Sequence, residues 1–298
     1  MLGRRIEMSF KLAITKMLPD KMYLNLMFLK HFGRLINFKK PKTFNEKLQW
    51  LKIYDRNPLY TKLVDKLEVK KYVAETIGEE YVIPTLGVWK SPEEIDFDSL
   101  PDQFVLKWNH DSGSVVICKD KSKLNVEETI QKLQRGKKYN GFWYGREWPY
   151  KNVEPYVFAE QYMEDTQSKD QKKYGLVDYK FYSFNGKTKV LYVSRGLGTM
   201  HNDAEISFYN LDWTPCEFKR GDFKALSETL PKPAHFDQMV ELSDRLSKIA
   251  PFLRVDFYEI NHQIYFSEFT FYPCSGLMSF SPVEWDEKMG DWLELPKK

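Results

Sequence analysis

Two carboxylates stand where buried strands should carry none. The runs Leu253-Arg-Val-Asp-Phe-Tyr-Glu-Ile260 and Ile264-Tyr-Phe-Ser-Glu-Phe-Thr270 are rich in β-branched and aromatic residues, and Asn261-His262-Gln263 between them reads as a short hairpin loop. With Ile260 opposite Ile264, Asp256 lies opposite Glu268 and Arg254 opposite Thr270, all on one sheet face. Facing carboxylates repel, and an unpaired buried charge is costly, so a cation belongs between them. A divalent ion is the simplest candidate, and oxygen donors of this kind suit Mg²⁺, which takes its remaining ligands from water and phosphate. The alternative is a structural network in which Arg254 neutralises Asp256 while Glu268 faces water. The hairpin alone does not separate the two.

Further candidates lie upstream. Phe104-Val-Leu-Lys-Trp108 is an apolar strand bearing Lys107, followed by the small-residue loop Ser112-Gly113-Ser114. A strand lysine beside such a loop can contact phosphates through its ammonium and the loop's backbone N–H groups. Neither a Walker loop nor a dinucleotide-binding glycine pattern is present. Asp65-Lys66 lies on an expected helix, with Lys70 one turn later on the same face. Glu160-Gln-Tyr162 follows a β run. Arg146, Glu147, Trp148 and Tyr150 combine charge and aromatic surface suited to a sugar or carboxylate; alternatively Trp148 and Tyr150 anchor one subdomain to the body. Asp178 and Lys180 share a strand face directed at ribose or substrate. Asp96-Phe-Asp98 is the one D-x-D pattern, and its polar setting beside Pro101 reads as a turn.

The elements that must position these groups follow from periodicity. Helices are expected over Lys11–Met17, Lys21–Phe32, Asn45–Tyr54 and, as one long helix ending near Gly78, Asn57–Ile77. Strands are expected at Tyr81–Pro84, Phe104–Trp108, Val115–Lys119 and Val157–Met163. A helix over Val126–Gln134 interrupts them. Asp178–Phe184 and Lys189–Ser194 form a hairpin about Asn185-Gly186, and a helix over Phe236–Ile249 precedes the acidic hairpin. Ser168–Lys173 reads as a polar loop. The order is α+β: a helical region (1–84), a small α/β unit (85–159) and a larger antiparallel unit (160–298).

Composition bounds the function. The 298 residues carry 45 basic and 42 acidic side chains, net +3, too balanced for nucleic acid as a bulk partner. Cys118, Cys216 and Cys274 support neither a disulfide framework nor a zinc site, which fits a reducing cytoplasm. Glu7 and Lys11 interrupt any signal-like apolar run after Arg4 and Arg5. Residues 1–42 are nevertheless basic, with lysines interleaved among Leu, Met and Phe in a helical pattern. That pattern suits an anionic membrane surface, peripheral at the inner face, or a helix packed on the body with a solvated basic face, the commoner arrangement.

Lys66, Lys107, the Ser112–Ser114 loop, Glu160, Asp256 and Glu268 occur in the order that resembles the ATP-grasp superfamily. That resemblance implies two lysines and a flexible loop on the phosphates of ATP, a hinge with Glu160 and Tyr162 beside adenine and ribose, and Mg²⁺ on Asp256 and Glu268. Thr270 replaces the usual Asn of an E-x-N motif and still offers an oxygen. A closer similarity covers nearly the whole chain. Lys42-Thr-Phe-Asn-Glu-Lys-Leu-Gln-Trp-Leu-Lys52, Tyr54-Asp-Arg-Asn-Pro-Leu-Tyr-Thr-Lys62, Arg146-Glu-Trp-Pro-Tyr-Lys-Asn-Val153 and Ser275-Gly276 resemble the TupA-like ATP-grasp family of teichuronopeptide and capsular polysaccharide clusters. The family implies an ATP-grasp fold with a lid and a ligase joining an amino acid to a uronic-acid carboxyl through an acyl phosphate. Arg254, Lys66 and Lys107 would then be catalytic, Asp178 would touch the nucleotide, and Arg146, Trp148, Lys180, Ser275 and Gly276 would touch the substrate. The competing readings are a metal-dependent glycosyltransferase of polysaccharide synthesis and a non-catalytic ATP-grasp binding module.

Overall fold

The computed structural model describes residues 16–137, 140–168, 174–197 and 204–297. Helix α1 (Asp20–Phe32) ends at Gly33 in the left-handed conformation, φ 70°. Helix α2 (Phe44–Tyr54) starts from a capping box, Thr43 accepting from the Glu46 N–H while the Glu46 carboxylate accepts from the Thr43 N–H. The expected long helix is two, α3 (Leu59–Val64) and α4 (Glu68–Ile77). The chain turns at Asp65 because its Oδ1 accepts from the N–H groups of Leu67 (2.8 Å) and Glu68 (3.3 Å), which starts α4 afresh. Lys66 therefore lies outside both helices and shares no helical face with Lys70. Gly78 caps α4 as expected.

Tyr81–Pro84 is not a strand: a 3₁₀ turn, Glu79–Tyr81, leads into one isolated parallel bridge from Val82 to Phe266. The first sheet follows, with β1 (Thr85–Trp89), β2 (Phe104–Trp108), β3 (Val116–Cys118), helices α5 (Val126–Gly136) and α6 (Gly141–Gly145), and β4 (Val157–Gln161). Its order is β1-β4-β2-β3 and every pair is antiparallel. Glu160 and Gln161 pair within it, so the boundary expected at residue 159 cuts through a strand that belongs wholly to this sheet.

The second sheet holds β5 (Asp178–Phe184), β6 (Lys187–Arg195), β7 (Glu205–Asn210), β9 (Phe252–Ile260) and β10 (Gln263–Thr270), in the order β10-β9-β5-β6-β7. The short β8 (Lys219–Arg220) pairs with β11 (Phe280–Ser281). Helix α7 (Phe236–Leu246) precedes β9, and α8 (Trp285–Trp292) closes the chain. Strand alternation divides the sheet's two faces. Tyr179, Phe181 and Ser183 turn toward α7, with Phe181 meeting Phe236 and Ser183 bonded to Ser243. Asp178, Lys180, Arg254 and Asp256 share the other face with Tyr182, Phe184 and Phe252, which pack against Phe44 of α2. The main core runs from Phe44 to Leu293, so α2, α3 and α4 belong to the larger unit rather than to a separate helical region.

The acidic hairpin turns on two residues, Asn261 and His262, both at positive φ, rather than three. Ile260 therefore faces Gln263. An irregularity between Phe266 and Glu268 restores the register, and Asp256–Glu268 and Arg254–Thr270 are paired as expected. Of the helix expected over Lys11–Met17, Lys16 and Met17 are described and helical; the rest, and residues 169–173 of the polar loop, lie outside the described residues. No helix among the described residues is long and apolar enough to cross a membrane.

Candidate active site

Two charged clusters meet where the sheets adjoin. On the first sheet Glu160 is 5% exposed and clasped by Lys70 of α4 (2.6 Å) and Lys107 of β2. Lys107 and Glu160 are diagonal neighbours on one face, and both lysine ammoniums lie over the Phe158 ring, at 5.4 and 5.5 Å. Burial opposes ionisation of Glu160, but Lys107 and Lys70 outweigh it and hold the carboxyl below its ordinary range. Lys70 also donates to Ile83 O and Thr85 Oγ1, 2.8 Å each.

Lys66 joins this cluster through the β2 exit. Its N–H bonds to Asn109 O (3.0 Å), and Asn109 is itself held by Asp65 Oδ2 (2.7 Å), Glu154 O and the Tyr156 N–H. The Lys66 ammonium donates to Asp111 O (2.7 Å), at the root of the Ser112–Ser114 loop. Burial lowers its pKa, with Glu268 the leading opposing influence. Gly113 has φ 128°, a conformation glycine alone adopts readily. The loop lies directly on α5: a Cβ at Gly136 would stand 2.1 Å from Ser114 Oγ and 2.9 Å from Asp111 Oδ2.

On the second sheet the cation between the facing carboxylates is Arg254. Its guanidinium grips Asp256 twice (Nε–Oδ1 2.7 Å, Nη2–Oδ2 2.6 Å), reaches Glu268 Oε1 at 3.1 Å and touches the Tyr192 hydroxyl at 3.3 Å. Lys180 adds a bond to Asp256 Oδ2 (2.8 Å) and one to Asp178 (3.0 Å). The alternative network foreseen for Arg254 is thus present, but it takes in Glu268 as well. Asp256 is fully buried, and that burial raises its pKa against the pull of Arg254 and Lys180. For Glu268 burial also opposes ionisation, but Lys180, Lys66, Arg254 and Lys107 together win and its pKa falls. The same four cations tie the two clusters into one charged layer.

This donor set fits Mg²⁺ unequally. A carboxylate has about four acceptor sites. Three hydrogen bonds fill most of those on Asp256 and leave room at Oδ1, while Glu268 spends one and its side chain is 32% exposed. Thr270, half-buried, stands opposite Arg254 on this face. Glu268 is therefore the principal available oxygen donor. Among the described residues no group of three or more His, Cys, Asp or Glu side chains is placed to hold a metal ion.

Other expected positions serve different ends. Lys180 is bound to both Asp178 and Asp256 rather than turned to ribose or substrate, and Asp178 is held by Lys180. Arg146 is 1% exposed, paired with Asp20 (3.0 Å) and stacked on Tyr23 (4.3 Å), so it fastens α6 to α1 instead of reaching substrate. Trp148 is half-buried in a 3₁₀ turn. Tyr162 lies against Lys119 (5.7 Å) in an open cavity with Leu86 and Gln161. Asp96 Oδ1 accepts from the N–H groups of Asp98 and Ser99, which makes the D-x-D pattern a turn.

Ser275 and Gly276 are gripped from below by α2. Gln49 Nε2 donates to both carbonyls (2.9 and 2.7 Å), and Lys52, 1% exposed, donates to Ser275 O (2.8 Å) and Gly145 O (2.7 Å). Ser275 Oγ in turn donates to Glu147 (2.7 Å). Cys274 and Ser275 both have positive φ, and Arg254 and Glu147 both bear on the Cys274 thiol, so this turn borders the charged layer. Lys52 and Tyr192 have no role assigned from sequence. A signal existed for Lys52: Asn45, Gln49 and Lys52 recur at i, i+4 and i+7 beside the apolar Phe44, Leu48 and Leu51, and all six are buried.

A family model described as TupA-like ATPgrasp matches residues 46–294. The search of curated proteins gives no match. Among solved structures the chain is similar to D-alanine–D-alanine ligase from Bacillus anthracis, at 18% identity over 70% of this chain and 56% of that one, TM-score 0.41. It is also similar to D-alanine–D-alanine ligase from Helicobacter pylori, at 14% identity over 86% and 68%, TM-score 0.46. The ATP-grasp ligase PsnB with Mg, ADP and a phosphomimetic variant of its minimal precursor matches at 11% identity over 83% and 64%, TM-score 0.42. The chain thus spans a little over half the length of the Bacillus anthracis ligase. With the family model covering most of its length, the chain belongs to the TupA-like ATP-grasp family.

Proposed function

We propose that the protein is an ATP-dependent carboxylate–amine ligase that joins an amino acid to a uronic-acid carboxyl of a surface polysaccharide or its precursor. The observation that carries the ligase reading is the charged layer in a chain of this family: Lys66 and Lys107 beside a glycine loop, meeting Arg254, Asp256 and Glu268 across two antiparallel sheets. In this reading the acceptor carboxylate attacks the γ-phosphorus of ATP and ADP departs. The amine then attacks the acyl phosphate, and phosphate and a proton leave as the amide forms.

No protein nucleophile is needed, so the residues act by position and charge. Lys66 and Lys107 lie against the transferring phosphates, and Arg254, freed in part from Glu268, holds the acyl-phosphate oxygens. The loop at Gly113 covers the site and keeps water from the intermediate. Glu268, the open site on Asp256 and the Thr270 hydroxyl would hold Mg²⁺ brought with ATP; when bound, it offsets phosphate charge. Ser275 and Gly276 border the acceptor.

The test is ADP release from the purified protein with Mg·ATP and uronic acids or glucuronate-containing oligosaccharides, each paired with each amino acid. ADP that forms only when acid and amine are both present supports the ligase and names its substrates. Transfer from a nucleotide sugar would replace it with a glycosyltransferase. ATP binding with no turnover under any pairing would leave a binding module.

A further inference from the structure

Helix α1 is apolar on two sides. Tyr23, Leu24 and Phe28 face inward with Ile36 and form a small core of their own. Met22, Leu26 and Leu29, spaced i, i+4 and i+7, form a second stripe that faces out, 50%, 47% and 42% exposed. Met17 before the helix (85%) and Leu35 after it (61%) extend the exposed apolar surface at both ends. A helix packed on the body with only a solvated basic face, the commoner of the two arrangements the sequence suits, would leave these positions polar. The outward stripe is instead apolar, and basic residues stand around it.

The charge distribution says what covers it. Residues 1–42 contain ten of the chain's 45 Lys and Arg but only Glu7 and Asp20 of its 42 Asp and Glu. This segment thus carries +8 in a chain of net +3, and the remainder is net negative. Lys30, Lys39, Lys40 and Lys42 are exposed along α1 and the turn after it. An apolar stripe flanked by exposed lysines, on a body that is otherwise acidic, matches the surface of an anionic bilayer, with aliphatic side chains in the acyl boundary and ammoniums among the headgroups.

We propose that α1 and the basic segment around it dock this protein peripherally on an anionic lipid bilayer. The inference does not rest on the ligase reading, since none of these residues belongs to the charged layer.

The experiment is co-sedimentation of the full chain with vesicles of phosphatidylcholine alone or mixed with phosphatidylglycerol. The protein should pellet with the mixed vesicles only, and added salt should release it. The triple variant Met22→Gln/Leu26→Gln/Leu29→Gln should bind about tenfold more weakly. Removing Lys30, Lys39 or Lys40 as Gln should weaken binding by roughly fivefold each at low salt. All six positions are exposed, so melting temperatures should stay at the wild-type value. Failure to bind the mixed vesicles, equal binding to both kinds, or unchanged binding by the triple variant would overturn the proposal. So would a concentration-dependent dimer in light scattering that the triple variant abolishes, because a second copy would then be the occupant.

Discussion

Glu268→Gln keeps the side chain's shape and removes its charge. In the structure Glu268 makes one ion pair, at 3.1 Å to Arg254, with its side chain 32% exposed, and Arg254 keeps two bonds to Asp256 when that pair is lost. A partly exposed pair of this kind contributes at most about 1 kcal/mol. The variant's melting temperature should therefore fall by no more than about 3 °C. The catalytic effect should be far larger, because Glu268 is the most open oxygen donor on the face. Its loss should raise the Mg²⁺ concentration for half-maximal ADP release by roughly 100-fold, with a matching drop in turnover at low Mg²⁺. Asp256→Asn gives the opposite balance. It neutralises a fully buried carboxylate that accepts three charge-assisted hydrogen bonds and leaves Arg254 with Glu268 alone and Lys180 with Asp178 alone. That should cost about 3–5 kcal/mol in urea unfolding. If Glu268→Gln were as destabilising as Asp256→Asn and left the Mg²⁺ response unchanged, Glu268 would be a strut and the assignment of the metal to this hairpin would be refuted.

Burial, opposed by Glu147, lowers the Lys52 pKa from 10.5 to about 8. Between those values the unfolded chain binds more protons than the folded one. Wild-type stability should thus rise by up to about 3 kcal/mol relative to Lys52→Met as pH goes from about 8 to 10.5; parallel urea curves across that range would refute the buried-ammonium assignment. Gly136→Ala places a methyl against Ser114 and Asp111, so the loop must shift. Its KM for ATP should rise several-fold while circular dichroism melting changes little, and an unaltered KM would remove the loop from nucleotide binding. Thr43→Ala opens the α2 capping box and should cost about 1 kcal/mol in urea unfolding, with a loss indistinguishable from zero counting against the cap.

Much of the site is local chemistry and was legible. Alternation in Arg254–Asp256 and in Glu268–Thr270 puts four polar side chains on one face whatever surrounds them. The pairing held even though the turn is one residue shorter than expected, because the irregularity before Glu268 takes up the slip. Asp65 shows the converse: a helical pattern runs straight through it, but a short carboxylate that can bond two N–H groups ahead breaks the helix and sets Lys66 free to reach Asp111.

Residue types and periodicity determined by themselves that this chain carries paired carboxylates on a hairpin, a strand lysine before a glycine loop, and a basic N-terminal segment. Only the tertiary structure decided which charge neutralises which. Lys180 reaches Asp256 across 76 residues of chain, Lys70 and Lys107 converge on Glu160, and Arg146, which reads as a substrate residue, is spent on Asp20. The reason is physical: alternation and turn chemistry act over a few residues, whereas the partner of a buried charge is chosen by how distant elements pack, since burial is what makes an unpaired charge too costly to leave alone.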